Sequence, residues 1–291
     1  MKQELSVNKP SIRILFRLKG SMLLKTIIAA FYLCVISACS LPAYKVFENA
    51  GKDYKVVSGG KFQHLLSFNL DAGDDGAVVV FIDGDGVPWR SRHQVSYEPT
   101  SDSPLLLGWF IKLDVPSVYL GRPCYYDLDD DRCSVYWYTH GRYGDDVVKS
   151  MVGALNKALP DYPLILVGHS GGGTLAMLMA ERMRNVKSVV TIAGNLQVKQ
   201  WVEHNQYSEL EGSLDPSLSL GLNDKVHQIH FYSPNDSVIR PEWVKQFASK
   251  QKNAELIELP VRGHNDGWNS FSEDIINVLK RTKYEIDHGA Q

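Results

Sequence analysis

The stretch Leu164-Ile165-Leu166-Val167-Gly168-His169-Ser170-Gly171-Gly172-Gly173 decides how this chain is read. Four consecutive aliphatic residues are the pattern of a strand buried on both faces. They run into Gly168-His169-Ser170-Gly171-Gly172, and an Ala-, Leu- and Met-rich segment, predicted as a helix over Gly172 to Arg184, leaves it. A serine at such a strand–turn–helix junction sits on a tight, strained bend that projects its hydroxyl. Gly168 and Gly172 stand where side chains would collide across the bend. The N–H of Gly171, at the helix start, is expected to stabilise an oxyanion. A glycine-rich turn that only packs tightly is the plain alternative. A phosphate loop is excluded: Gly168 and Gly173 have its spacing, but Thr174 stands where its lysine belongs.

Around this stretch, from about Tyr54 onward, short apolar runs alternate with longer helical ones, without an internal repeat or a low-complexity linker. Strands are predicted at 64–68, 77–82, 117–120, 164–167, 188–192, 228–232 and 255–259. Helices are predicted at 145–158, 172–184, 241–251 and 270–281. Runs such as Val78-Val79-Val80-Phe81-Ile82 are continuous rather than alternating, as in a parallel sheet covered by helices. The expected class is therefore α/β, one doubly wound and mostly parallel sheet flanked by helices over residues 54–291. Asn195 to Asp224 breaks the rhythm with polar residues and short turns; a small cap or insertion and a plain long loop both fit it.

On these residues the chain resembles the α/β-hydrolase superfamily, in which an acid and then a histidine follow the serine. Ile229-His230-Phe231-Tyr232 is followed by Ser233-Pro234-Asn235-Asp236, so Asp236 matches the acid. Ile257-Glu258-Leu259-Pro260 is followed by Val261-Arg262-Gly263-His264, and His264 matches the histidine. The resemblance spans nearly all of Leu65 to Lys280. It implies a serine hydrolase of the carboxylesterase, lipase, thioesterase or peptidase kind, acting on a carboxylic ester or related small acyl substrate. Ser170 would attack, His264 would carry the proton, Asp236 would fix the imidazole, and neither metal nor organic cofactor would be needed. His169 adjoins Ser170 on the strained bend and is expected to point elsewhere. His204 and His288 are expected to face solvent, and His227 and His230 to lie in a strand. Tyr119-Leu120-Gly121-Arg122-Pro123-Cys124 resembles a stretch of exported hydrolases of Gram-negative bacteria.

The segment Asp83-Gly84-Asp85-Gly86 follows the early strand. In the hydrolase reading it supplies the second oxyanion donor, the N–H of Asp85 or of Gly86, with the Asp85 carboxylate turned away. A strand running into Asp83-Gly84-Asp85 also resembles the first motif of haloacid-dehalogenase-type phosphatases, with Asp83 as nucleophile beside Mg²⁺; no partner lysine and acidic motif follow in order. Asp127, Asp129 and Asp131 alternate like a calcium loop, but Arg132 stands where its glycine belongs, and a solvated acidic loop is expected.

With 44% apolar residues, the 291-residue chain has ample core for a large domain and is not disordered. Its formal charge of -2 hides an asymmetry: residues 1–38 carry +5 and the rest -7. No basic footprint for nucleic acid remains. The basic start, the apolar run Ile27 to Ile36 and the small residues after it have the layout of a secretory signal, too short for a membrane span. Met22 is an alternative start to Met1. Ile36-Ser37-Ala38-Cys39 resembles a bacterial lipobox, which implies a signal over 1–38, lipidation of Cys39, a tether over 39–53 and anchorage to the bacterial envelope, Ser40 favouring the outer membrane facing the periplasm. The plain alternative is an uncleaved signal anchor. In an oxidising periplasm Cys124 and Cys133 are expected to pair, two free thiols being the alternative. A non-catalytic envelope binding protein on the same fold is the competing class, and the intact Ser170, His264 and Asp236 set speaks against it.

Overall fold

The computed structural model describes residues 44–71 and 73–289. The predicted signal over 1–38 and Cys39 lie outside the described residues. A short helix, α1 (Lys45–Asn49), comes first, followed by β1 (Tyr54–Ser58), β2 (Gln63–Asn69) and β3 (Val78–Ile82). A small hairpin of β4 (Trp89–Ser91) and β5 (Gln94–Val95) and the helix α2 (Leu105–Lys112) lead to β6 (Ser117–Leu120). Then come α3 (Asp145–Ala158), β7 (Leu164–His169), α4 (Gly171–Ala180) and β8 (Val186–Ile192). The chain closes with α5 (Val198–Asn205), β9 (His227–Tyr232), α6 (Pro241–Ala248), β10 (Ala254–Glu258) and α7 (Ser272–Asp287).

Among the described residues the main sheet has eight strands in the order β1-β2-β6-β3-β7-β8-β9-β10. The β1–β2 and β2–β6 pairs are antiparallel and all others parallel. This is the doubly wound, mostly parallel α/β sheet that the continuous apolar runs predict. In β3, Val78, Val80 and Ile82 pack on one side with Met151 and Leu155 of α3 and Leu175 and Met179 of α4. Val79 and Phe81 pack on the other with Leu106 and Phe110 of α2 and Ile275 and Leu279 of α7. Each such side chain, fully buried, contributes roughly 1.5–3 kcal/mol. Both faces are covered, so the strand shows no polar alternation.

The chain leaves β3 for β6 on one side and returns to β7 on the other. That reversal opens a crevice at the carboxyl ends of β3 and β7, where open α/β sheets hold their ligands.

The tether expected over 39–53 is not one over its described part. Residues 45–49 are helical, and Phe47 is fully buried with its ring edge-on to those of Tyr119 and Tyr126. The packed domain therefore begins before residue 54, because one aromatic anchor draws a short helix onto the sheet. Within 195–224 the chain forms α5 and a 3-10 turn at Pro216–Leu218. Cys124 and Cys133 are disulfide-bonded, with Cα atoms 5.3 Å apart. Among the described residues no helix is long and apolar enough to cross a membrane.

Candidate active site

Ser170 occupies the bend between β7 and α4 with φ 51° and ψ −119°, a conformation L-residues rarely adopt. Holding it costs on the order of 1–3 kcal/mol, so the surroundings must over-determine it. They do: Ser170 N–H donates to Ile192 O at 2.9 Å, and its carbonyl accepts from Gly173 N at 3.0 Å and Asn195 N at 3.1 Å. The two flanking glycines are sterically required. A Cβ on Gly168 would strike the Gly172 carbonyl across the bend, and one on Gly172 would strike the carbonyls of Ile82 and Asp83 at the end of β3.

Asp236 follows β9 and His264 follows β10, so adjacent parallel strands deliver both residues to the same edge as Ser170. His264 Nε2 lies 2.9 Å from Ser170 Oγ and its Nδ1 2.8 Å from Asp236 Oδ2. The second oxygen of Asp236 accepts from the N–H groups of Val238 at 2.8 Å and Ile239 at 2.9 Å. Trp268, fully buried, donates its indole N–H to the His264 carbonyl at 2.8 Å and holds that loop. The three predicted residues are thus brought into one hydrogen-bonded chain, in which Ser170 and His264 line a cleft of about 960 Å³ and Asp236 is buried behind them.

Two other close pairs of a histidine with a hydroxyl residue have no such access. His64 lies 2.8 Å from Ser150 Oγ and His230 2.8 Å from Thr191 Oγ1, and all four residues are buried in the core. Burial pulls the pKa of His64 down to about 4 and that of His230 to about 3, so both stay neutral and serve the packing.

His169 does not bond to the Ser170 hydroxyl, but neither does it point away. Its ring stacks on that of His264, with centroids 5.5 Å apart and planes 28° from parallel, and it lines the cleft. Burial and the neighbouring His264 pull its pKa down to about 3. Contrary to the expectation that it points elsewhere, His169, the last residue of β7, turns its ring into the cleft against His264.

The loop after β3 separates two carboxylates of opposite surroundings. Asp83 accepts from Leu106 N and Leu107 N, each at 2.9 Å, and from Tyr119 OH at 2.9 Å. It caps α2 in place of Pro104, which makes no side-chain cap. Burial raises its pKa against these bonds. Its oxygens are occupied, which leaves neither a nucleophile nor a magnesium ligand, and the haloacid-dehalogenase reading does not hold.

Asp85 accepts from Arg122 at 2.6 Å, Arg142 at 2.9 Å and Tyr143 OH at 2.6 Å, all three donors being buried. Burial alone would raise its pKa, but the Arg142 and Arg122 charges hold it well below the usual carboxylate range. The carboxylate is not turned away from the bend: a Cβ on Gly171 would run into it and into the Tyr143 hydroxyl. Two guanidinium groups neutralise it there. Its carbonyl is fixed by Tyr125 OH at 2.9 Å. The stretch 119–124 therefore acts as a brace behind the loop, with Tyr119 on Asp83, Arg122 on Asp85 and Cys124 in the disulfide. Sequence reasoning missed Arg142, Tyr143 and Trp268, whose spacing carries no signal.

The acidic loop near Asp129 sits on the surface, with Asp130 paired to Arg132 at 2.8 Å. Among the described residues no three His, Cys, Asp or Glu side chains converge as a metal ion would require.

Fold, strand order and bend together define an α/β hydrolase. The chain belongs to the α/β hydrolase fold family, whose pattern it matches over residues 123–275, more than half its length. No curated protein matches it in sequence. Among solved structures it is similar to an esterase of Pyrococcus furiosus at 12% identity, with a TM-score of 0.58 over 83% of this chain and 94% of that one. It is also similar to Est1E of Butyrivibrio proteoclasticus with ferulic acid bound, at 14% identity, with a TM-score of 0.56 over 80% of this chain and 98% of the other. At such identities the likeness is one of fold.

Proposed function

We propose that the protein is a serine hydrolase that cleaves a carboxylic ester through an acyl-enzyme on Ser170. The observation that carries this reading is the Ser170–His264–Asp236 hydrogen-bond chain, whose serine and histidine line an open cleft. Ser170 Oγ attacks the carbonyl carbon as its proton passes to His264 Nε2, while Asp236 holds Nδ1–H and stabilises the imidazolium. The carbonyl oxygen becomes an oxyanion, bound by the free N–H of Gly171 at the start of α4 and by an N–H of the Asp83–Gly86 loop, that of Asp85 or Gly86. Collapse of the tetrahedral intermediate breaks the bond to the alcohol, which leaves with the proton from His264. Water, deprotonated by the same imidazole, then releases the acid.

A fluorophosphonate probe tests the mechanism. It should label the wild-type protein at Ser170 and leave Ser170→Ala unlabelled, with ester turnover lower by about 10⁴–10⁶ in that variant. Wild-type protein that is folded yet neither labelled nor active on any ester would sink the reading.

The proposal extends to location. Ile36-Ser37-Ala38-Cys39 supports lipid attachment at Cys39, and the Cys124–Cys133 bond suits an oxidising compartment, so the hydrolase would work at the bacterial envelope, on the outer membrane facing the periplasm. Mass spectrometry of the mature amino terminus should find a diacylglyceryl-modified Cys39; an unmodified chain beginning ahead of it would remove the claim.

A further inference from the structure

We propose, resting on the serine-esterase reading of Ser170, that the cleft takes the ester of a polyhydroxylated alcohol, an acylated saccharide, rather than a long-chain lipid ester. The lining is unlike that of a lipid site. Of its many residues only Val87, Leu105 and Leu210 are branched aliphatics, so the cleft lacks a continuous aliphatic wall for a long acyl chain. Aromatic rings and half-used polar groups take its place.

Three polar side chains are each fixed at one end and open at the other. Asn205 donates its Nδ2 to Trp201 O at 2.8 Å, which leaves its carbonyl oxygen as an acceptor. Asn269 accepts from the Trp109 indole N–H at 2.8 Å, which leaves its NH₂ as a donor. His140 bonds through Nδ1 to Glu209 O at 3.1 Å, which leaves Nε2 as an acceptor. All three line the cleft. Anchored groups of this kind lose little freedom on binding and are preorganised for hydroxyls. An alkyl chain laid over them would strip their water without replacing its hydrogen bonds.

Two aromatic pairs complete the surface. Trp89 meets His140 edge-on with centroids 6.3 Å apart, and Trp201 meets Tyr207 at 5.1 Å. Trp89 and Tyr207 remain exposed. Flat rings with polar edges beside fixed donors and acceptors match a pyranose, which has apolar C–H faces and a hydroxyl rim. The cleft of about 960 Å³ exceeds what a short alkyl ester fills and has room for a disaccharide unit.

The test compares two esters that share one acetyl group and differ in their alcohol, with ethyl palmitate as the long-chain control. With the full chain, kcat/KM for a mono-O-acetyl disaccharide should exceed that for ethyl acetate by about 100-fold or more, since a site built for hydroxyls discriminates strongly against analogues lacking them. Trp89→Ala, at an exposed position, and Asn205→Ala should each lower that ratio at least tenfold, chiefly through KM. Equal or faster turnover of ethyl acetate, preference for a palmitoyl ester, or an unchanged ratio in both variants overturns the proposal and leaves the serine-esterase reading standing. Failure of every ester together with no fluorophosphonate labelling removes both.

Discussion

At the residue scale, two carboxylates two positions apart meet opposite fates. Asp83 ends a strand against the start of α2 and is satisfied by N–H and O–H donors, whereas Asp85 is satisfied by two guanidinium groups and a phenol. Removing the Asp85 charge strands two buried cations beside the bend. Asp85→Asn is therefore expected to cost about 3–5 kcal/mol, the range for breaking a buried ion pair on one side. In a domain of this size that lowers the melting temperature by roughly 6–20 °C by calorimetry; an unchanged melting temperature would show that the arginines find other partners. Asp236→Asn tests a different quantity. It keeps the shape but loses the group that fixes the His264 tautomer, so kcat should fall about 10⁴-fold with KM little altered. Ser170, Asp236 and His264 were legible in the sequence because a tight bend demands particular glycines and because strand order places the loops. Arg122 and Arg142 were not legible as partners of Asp85. A brace assembled from separate loops has no period, and only the folded chain brings its parts together.

At the element scale, legibility followed periodicity. The helix over Asp145–Ala158 was readable to the residue, since its Val148, Met151 and Leu155 form one buried face against the sheet. The helix α2 was missed. Leu105-Leu106-Leu107 and Trp109-Phe110-Ile111 are apolar all round, and such a run does not distinguish a buried helix from a strand. What makes it a helix lies elsewhere in the chain, in the cap supplied by Asp83. The five residues of α1 are too few to show any face, and their position depends on Phe47 among Tyr119 and Tyr126. Phe47→Ala should consequently destabilise the domain by about 3–5 kcal/mol, the usual cost of a buried phenylalanine truncation. Chemical denaturation measures it. A loss below about 1 kcal/mol would mean that α1 is a loosely attached strand cover and that the tether reading was nearer the truth.

At the scale of the whole molecule, buried neutral histidines connect the fold to pH. His64, His169 and His230 are nearly or wholly buried, and burial pulls their pKa values to about 4, 3 and 3 from an ordinary 6.5. At pH 7 each is neutral in both folded and unfolded chains, so none penalises folding. Below about pH 6.5 the unfolded chain takes up protons that the folded one refuses, and stability falls with pH until the folded values are reached. By pH 4 each group has withdrawn on the order of 3 kcal/mol. The depressed Asp85 acts later: its contribution, present above its ordinary 3.8, is lost only as pH falls below that value. The window from pH 6.5 to 4.5 lies above the range of Asp85 and is governed mainly by the three histidines, while Asp83 and Glu181, whose pKa values desolvation raises, oppose part of the loss. Unfolding free energies measured by urea across that window should drop steeply toward acid. His230→Phe, which removes one titrating group next to Phe247, should flatten the slope by about one proton, whatever its stability at pH 7. A slope identical to wild type would show that His230 reaches water and titrates normally, and that the core beneath α6 opens well before the protein unfolds.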